Sequence, residues 1–293
     1  MPQDDASAPS RRRRRPLSDV ESLSPETLAA LIDHTNLKAF STPEKIRQIC
    51  EEALAYGFAT VCVNPVHVEA AARVLEGSAV GTCTVVGFPL GASRSEVKAF
   101  ETDRAVKDGA GEIDMVINVG GVRAGEEDAV LRDIRGVVEA SGDRLVKVIL
   151  ETCYLTDEQI VQACRLSREA GADYVKTSTG FGAFGAFERH VRLMRETVGP
   201  DMGVKASGGV SDFREALRML RAGASRLGVS ASIPIVEGFR ALRYTAGWLA
   251  EEVPCRLCPS RAADISKLPK ELFLYYKAAC LDCPHREHNR FYD

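Results

Sequence analysis

Four charged side chains stand inside short apolar segments of this 293-residue chain. Asp114 lies in Glu112-Ile113-Asp114-Met115-Val116-Ile117, Lys147 in Val146-Lys147-Val148-Ile149-Leu150-Glu151, Lys176 in Asp173-Tyr174-Val175-Lys176-Thr177, and Lys205 in Gly203-Val204-Lys205-Ala206-Ser207. A charge in such a segment is costly to bury. One lysine is explained by a stem lying along apolar surface with its ammonium in water, or by pairing with a carboxylate such as Glu151. Three in succession point to chemistry, because two of them run into small residues and glycine: Lys176-Thr177-Ser178-Thr179-Gly180 and Lys205-Ala206-Ser207-Gly208-Gly209. Ammonium groups crowded into a low-dielectric site repel, which favours a neutral amine able to attack a carbonyl carbon. That is Schiff-base chemistry. Asp114 would then relay protons, through water, as the carbinolamine dehydrates and carbon is protonated.

Two glycine-rich stretches, Ser207-Gly208-Gly209 and Gly228-Val229-Ser230, offer backbone N–H groups of the kind that surround a phosphate. Either stretch alone serves a tight turn equally well. Together with the lysines they suggest a phosphorylated carbonyl substrate. A separate constellation lies near the C-terminus, where Cys255-Arg256-Leu257-Cys258 and Cys280-Leu281-Asp282-Cys283 are separated by 21 residues. That gap is just outside the roughly 15 to 20 residues usual for a four-thiolate zinc site. Structural zinc, an iron–sulfur cluster, a redox dithiol pair and unligated thiols all remain open there. His285 and His288 are read as surface histidines.

The elements that must position these residues form a regular series. Eight short apolar runs, starting near Leu31, Ala59, Thr82, Glu112, Val146, Asp173, Gly203 and Ser225, alternate with segments of helical periodicity, at a mean repeat of about 28 residues. Pro43 to Tyr56 is one such helix, with apolar Ile46, Ile49, Ala53 and Leu54 behind a Ser41-Thr42-Pro43-Glu44 start. Gly57, Gly109, Gly171 and Gly223 stand where helices must end before the next strand. The series predicts a TIM (β/α)8 barrel, in which Lys176 and Lys205 fall on the sixth and seventh strands. An open doubly wound sheet would show a GxGxxG turn after its first strand, and Asp33-His34-Thr35-Asn36-Leu37 is nothing like that. A last helix is expected from Val236 to about Leu249.

Composition excludes several other classes. The chain carries 38 Lys and Arg against 41 Asp and Glu, and its one dense basic block, Arg11 to Arg15, sits near the N-terminus. Beyond residue 16 the balance is 33 against 39, so nucleic acid is not the expected partner. No apolar run approaches the roughly 18 residues of a membrane span. No apolar core follows the arginines as a signal peptide would require, and a cytoplasmic location is expected. Cys50, Cys62, Cys83, Cys153 and Cys164, scattered through apolar segments, are read as buried reduced thiols. The predicted organisation is a disordered tail over 1–20, a barrel over 21–250, and a cysteine-paired extension over 251–293.

Six ordered strings together bring a family with them. Leu31-Ile32-Asp33-His34-Thr35-Asn36-Leu37, Val61-Cys62-Val63-Asn64-Pro65, Gly87-Phe88-Pro89-Leu90-Gly91, Glu112-Ile113-Asp114-Met115-Val116-Ile117-Asn118, Val175-Lys176-Thr177-Ser178-Thr179-Gly180-Phe181 and Val204-Lys205-Ala206-Ser207-Gly208-Gly209 closely resemble the deoxyribose-phosphate aldolase family. The resemblance runs from about Leu28 to about Ser232. It implies a class I aldolase, with no metal or other cofactor in catalysis, that reversibly cleaves 2-deoxy-D-ribose 5-phosphate to D-glyceraldehyde 3-phosphate and acetaldehyde. Lys176 is then the Schiff-base nucleophile, Lys205 the second amine that lowers its pKa, and Asp114 the proton-relay carboxylate. Asp33 and Thr35 match a motif on the substrate-hydroxyl side. Cys62 matches a pocket thiol, for packing or substrate contact, and Lys147 a lysine that holds Asp114.

Thr177, Thr179, Gly180, Gly208, Gly209, Gly228 and Ser230 complete the expected substrate contacts. The last phosphate loop departs from the family, reading Gly228-Val229-Ser230-Ala231-Ser232 where a Thr-Ser or Ser-Ser pair is common, and Ser230 is the candidate there. Phosphosugar and aldehyde substrates and a homo-oligomer, dimer or tetramer, are the expected partners. The competing readings are a catalytically altered phosphosugar-binding sensor and another class I phosphosugar lyase on the same barrel. A sensor would be expected to lose one of Asp114, Lys176 and Lys205, and all three are present.

Overall fold

The computed structural model describes residues 23–250, with side chains described through residue 241. Arg11 to Arg15 and the cysteines at 255, 258, 280 and 283 lie outside the described residues. Eight parallel strands close into a barrel in chain order. They are β1 (Ile32–Asn36), β2 (Thr60–Val63), β3 (Gly81–Val86), β4 (Glu112–Val116), β5 (Leu145–Ile149), β6 (Tyr174–Lys176), β7 (Gly203–Ser207) and β8 (Arg226–Val229). Strand β8 returns to β1 with Gly228 opposite Asp33, which completes the ring.

The helices are α1 (Pro25–Ala29), α2 (Pro43–Tyr56), α3 (Val68–Leu75), α4 (Ser95–Lys107), α5 (Val119–Ala124), α6 (Glu127–Ala140), α7 (Asp157–Glu169), α8 (Glu188–Val198), α9 (Phe213–Arg221) and α10 (Ser232–Ala250). Helix α2 has the bounds its sequence predicts: the Thr42 side chain accepts from the Lys45 N–H, Pro43 opens the helix, and Gly57 closes it in the left-handed region at φ 68°. Helix α10 begins at Ser232, four residues before the expected Val236. Pro234 falls in its first turn, where a missing N–H costs nothing. The chain divides into two units, Met1–Gly238 and Phe239–Asp293.

Buried Val, Ile and Leu from the strands face the helices, as at Val61, Val86, Ile113, Val148, Val175, Val204 and Leu227. The same strands turn their alternate residues into the barrel. Because the outward set fills the layer between sheet and helices, the inward set is free to be polar. There the charged residues collect.

Candidate active site

Strand alternation decides which side chains meet inside. Glu112 and Asp114 on β4 are two residues apart and share the interior face, and register sets Asp114 beside Lys147 and Lys176 beside Lys205. Asp114 is the hub. Its Oδ1 accepts from Lys147 Nζ at 2.7 Å, and its Oδ2 accepts from both Lys176 Nζ and Lys205 Nζ at 2.8 Å. Lys205 also donates to Asp33 Oδ2 at 2.5 Å, and Lys147 reaches Glu112 at 2.6 Å. Arg226 closes the network from β8, 2.5 Å from Asp33 Oδ1 and 3.3 Å from Glu112.

Burial alone would neutralise these groups, but their mutual pairing wins. Asp114 is held well below the usual carboxylate value: burial pushes it up, and Lys147, Lys176 and Lys205 outweigh burial. Asp33 is lowered in the same way against burial, by Arg226, Lys205 and Lys147. Lys205 and Lys147 are both raised, burial opposing and Asp114 leading the groups that prevail. Both therefore stay charged ammonium groups at neutral pH. Lys176 differs in two ways. Among the described residues it pairs with Asp114 alone, and it keeps 2% exposure where Lys147 and Lys205 have none. Lys147, Lys176, Lys205 and Arg226 thus share three carboxylates, Asp33, Glu112 and Asp114.

Beside Asp114 sit two thiols. Cys83 Sγ donates to Asp114 Oδ1 at 3.3 Å, and burial together with its bond to Cys62 pushes its pKa well up. Cys62 is lowered, first by that bond with Cys83. It packs fully buried with Leu37, Cys83 and Val85, under Phe88. Cys62, Cys83 and Asp114 bring ligand atoms within 4.8 Å of one another, but both Asp114 oxygens already face ammonium groups, so a cation there would meet like charge.

A cavity of about 430 Å³ lies at the strand ends, lined by Thr35, Thr179, Gly180, Gly208, Gly209, Gly228 and Ser230. His34, Lys38, Lys45, Glu52 and Phe181 also line it. Gly208 and Gly209 are left-handed in succession, at φ 80° and 77°, which turns the chain sharply after β7. Gly228 joins the cavity to the charged cluster, since a Cβ there would stand 2.6 Å from Lys205 Cε.

Several expected contacts take other places. Asp33 is fully buried, and its oxygens go to Arg226, Lys205 and Thr60. Thr177 is also fully buried; its hydroxyl donates to the Ser207 carbonyl and accepts from the Ser207 N–H, both at 3.0 Å, pinning β6 to β7. Glu151, offered above as a partner for a lysine, instead accepts from the Thr179 N–H and hydroxyl, from a left-handed backbone at φ 52°. The lysines find Asp114, Asp33 and Glu112 instead.

Glu112, Arg226 and Cys83 were not singled out from sequence. Glu112 and Arg226 carry the same signal as Asp114, a charge inside a strand run, and that rule applied evenly would have found them. Lys38, Lys45 and His34 carry no comparable signal.

The DeoC/LacD family aldolase model matches residues 27–244. The deoxyribose-phosphate aldolase of Geobacillus sp. (strain WCH70) is 58% identical over 212 residues, covering 72% of this chain and 95% of that protein. That of Streptococcus gordonii is also 58% identical, over 207 residues, covering 71% and 94%. A tetrameric deoxyribose phosphate aldolase structure from Aeropyrum pernix superposes with a TM-score of 0.70 at 36% identity, covering 75% of this chain and 93% of that one.

Proposed function

The chain belongs to the DeoC/LacD aldolase family, and we propose that it cleaves 2-deoxy-D-ribose 5-phosphate reversibly to D-glyceraldehyde 3-phosphate and acetaldehyde, with Lys176 as the nucleophile. The observation that carries this assignment is the asymmetry among the three lysines. Lys147 and Lys205 are each tied to at least two carboxylates and closed to solvent, whereas Lys176 has one partner and a trace of exposure.

The neutral Nζ of Lys176 attacks C1 of the open-chain sugar. The carbinolamine loses water, leaving an iminium ion. Removal of the C3 hydroxyl proton then breaks the C2–C3 bond, whose electron pair flows into the iminium to give an enamine. D-glyceraldehyde 3-phosphate leaves, C2 takes up a proton, and water releases acetaldehyde and the free amine. Asp114, an ionised acceptor facing both Lys176 and Lys205, is the relay for these transfers through water. Lys205, held charged, supplies the positive charge beside the reacting nitrogen. No step calls for a metal. The phosphate is read at the cavity wall, among the backbone N–H groups of Gly180, Gly208, Gly209 and Gly228 with Ser230.

Borohydride added with acetaldehyde should fix one ethyl group, at Lys176, as read by peptide mass. An unlabelled Lys176 with turnover intact, or full activity in Lys176→Ala, would refute the assignment.

Three further readings rest on sequence. A structural zinc on Cys255, Cys258, Cys280 and Cys283 would give about one equivalent by elemental analysis, lost in Cys255→Ser/Cys258→Ser; metal-free protein with four titratable thiols refutes it. A dimer or tetramer would be seen by light scattering, the Aeropyrum pernix protein being tetrameric. Cytoplasmic residence is likewise proposed; among the described residues no helix is long and apolar enough to cross a membrane.

A further inference from the structure

Next to Asp33, which faces inward, His34 faces out of the barrel and joins a hydrogen-bond chain distinct from the network of Lys147, Lys176 and Lys205. Its Nε2 lies 2.8 Å from Glu52 Oε2 on α2, and its Nδ1 lies 2.8 Å from Ser232 Oγ at the start of α10. The other Glu52 oxygen accepts from Gln48 Nε2 at 2.7 Å, and Gln48 Oε1 accepts from Lys45 Nζ at 3.2 Å. Phe58 lies against the imidazole, ring centres 5.1 Å apart. Ser232 Oγ is also 3.2 Å from the Val229 carbonyl.

Serine, histidine and glutamate in this order look like a relay that activates a nucleophile. Ser232, however, is fully buried, so no substrate carbonyl can reach its oxygen. The chain must act on something it already touches. At its inner end that is the turn Gly228-Val229-Ser230; His34, Glu52 and Lys45 line the same cavity as this turn.

Proton accounting fixes the direction of the links. Ionised Glu52 only accepts, so Nε2 carries the ring proton. Nδ1 of the neutral ring is then an acceptor, and the one Ser232 hydroxyl proton is shared between it at 2.8 Å and the Val229 carbonyl at 3.2 Å. The ring therefore links Glu52 on α2 to Ser232, the first residue of α10, which directly follows the turn Gly228-Val229-Ser230.

We propose that His34 is a positioning residue for the phosphate end of the substrate, setting the Gly228–Ser230 turn through Ser232. This rests on the phosphosugar reading above. A backbone anion site depends on donors held in place before binding, so a turn released from its tether loses affinity for phosphate more than it loses chemistry at Lys176.

The test compares Ser232→Ala, His34→Gln and His34→Asn on 2-deoxyribose 5-phosphate and on unphosphorylated 2-deoxyribose, with titration calorimetry of inorganic phosphate as an activity-independent readout. Asparagine places an amide near Nδ1 and keeps the link to Ser232; glutamine reaches toward Glu52 and gives it up. Ser232→Ala and His34→Gln should raise the phosphate Kd about tenfold, the worth of one well-placed hydrogen bond, and lower the ratio of kcat/KM between the two sugars to match. His34→Asn should recover most of both. Equal losses on the two sugars, or an unchanged phosphate Kd in Ser232→Ala, would overturn the proposal. If His34→Gln fails to fold by circular dichroism, Ser232→Ala decides the matter. Wild-type protein that binds phosphate yet cleaves neither sugar would sink the aldolase reading while leaving the tether to be judged by phosphate affinity.

Discussion

Inside the barrel, seven charged side chains from six strands neutralise one another over distances of 2.5 to 3.7 Å, four of them wholly out of solvent. At the mouth, the cavity wall that would meet the substrate's phosphate contains four glycines and none of those seven side chains. On the proposed function both regions serve a small polar ligand, yet they are assembled differently. The interior places charge by strand register, and each member is fixed by the others. The mouth places backbone N–H groups by turn conformation, and such turns depend on side chains outside the interior network, such as Glu151 and, on the proposal above, His34. One region should fail by losing partners, the other by losing shape.

Breaking the interior gives the largest effects. Lys176→Ala should lower turnover by about 10⁴-fold or more, since the covalent route disappears, while thermal stability changes little because Lys176 has a single ion pair. Lys205→Met should be as inactive and, unlike Lys176→Ala, should lose about 3–5 kcal/mol of stability, because Asp33 and Asp114 are left buried with one fewer counter-charge. Turnover assays paired with urea melts separate the two. Equal melts would mean that the cluster does not distinguish its lysines as the geometry says.

The same contrast explains what could be read from sequence. Strand order, helix α2 with its caps, and the lysine–aspartate set were legible, because period-2 burial makes a charge inside a strand conspicuous and eight repeats fix the fold. Which carboxylate meets which lysine was not legible. Sequence offers Glu151 as a lysine's partner and leaves Glu112 unmarked, yet from a left-handed backbone at φ 52° Glu151 turns to Thr179 while register brings Glu112 to the interior. The supports of the mouth were less visible still. His34 and Ser232 are 198 residues apart, and nothing local marks either as the other's partner.

Substitution at the mouth tests shape instead of charge. Gly208→Ala forces a side chain into the left-handed region at φ 80°, costing about 1–2 kcal/mol if the turn holds, or moving the turn if it does not. The expected result is a KM for the phosphorylated sugar raised about 10-fold, with the borohydride adduct at Lys176 still formed from acetaldehyde. Gly228→Ala should differ, since its Cβ would press on Lys205 Cε from 2.6 Å and so damage both regions. If Gly208→Ala abolishes adduct formation, the two regions are not separable as argued.

The smallest effect is in pH, and its sign distinguishes the regions once more. The lowered carboxylates Asp33 and Asp114 contribute stability that is present above their usual value of 3.8 and lost as pH falls through their folded values. Raised Lys147 and Lys205 contribute stability that is complete below 10.5 and lost as pH rises through their folded values. Those four groups are thus indifferent to pH between about 4 and 10. His34 is not. Burial lowers its pKa below the usual 6.5 despite Glu52, so below pH 6.5 the unfolded chain takes up a proton that the folded chain refuses. Stability should therefore begin to fall at mildly acid pH, well before the carboxylates titrate. His190, lowered by burial and Arg189, adds to the slope. Subtracting the melting curves of His34→Asn from those of the wild type between pH 7 and 5 isolates the part due to His34. A difference of zero would mean that the ring titrates as it does in the unfolded chain; a difference of opposite sign would mean that it is already protonated in its tether, and the donor at Nδ1 would then be the imidazole instead of Ser232.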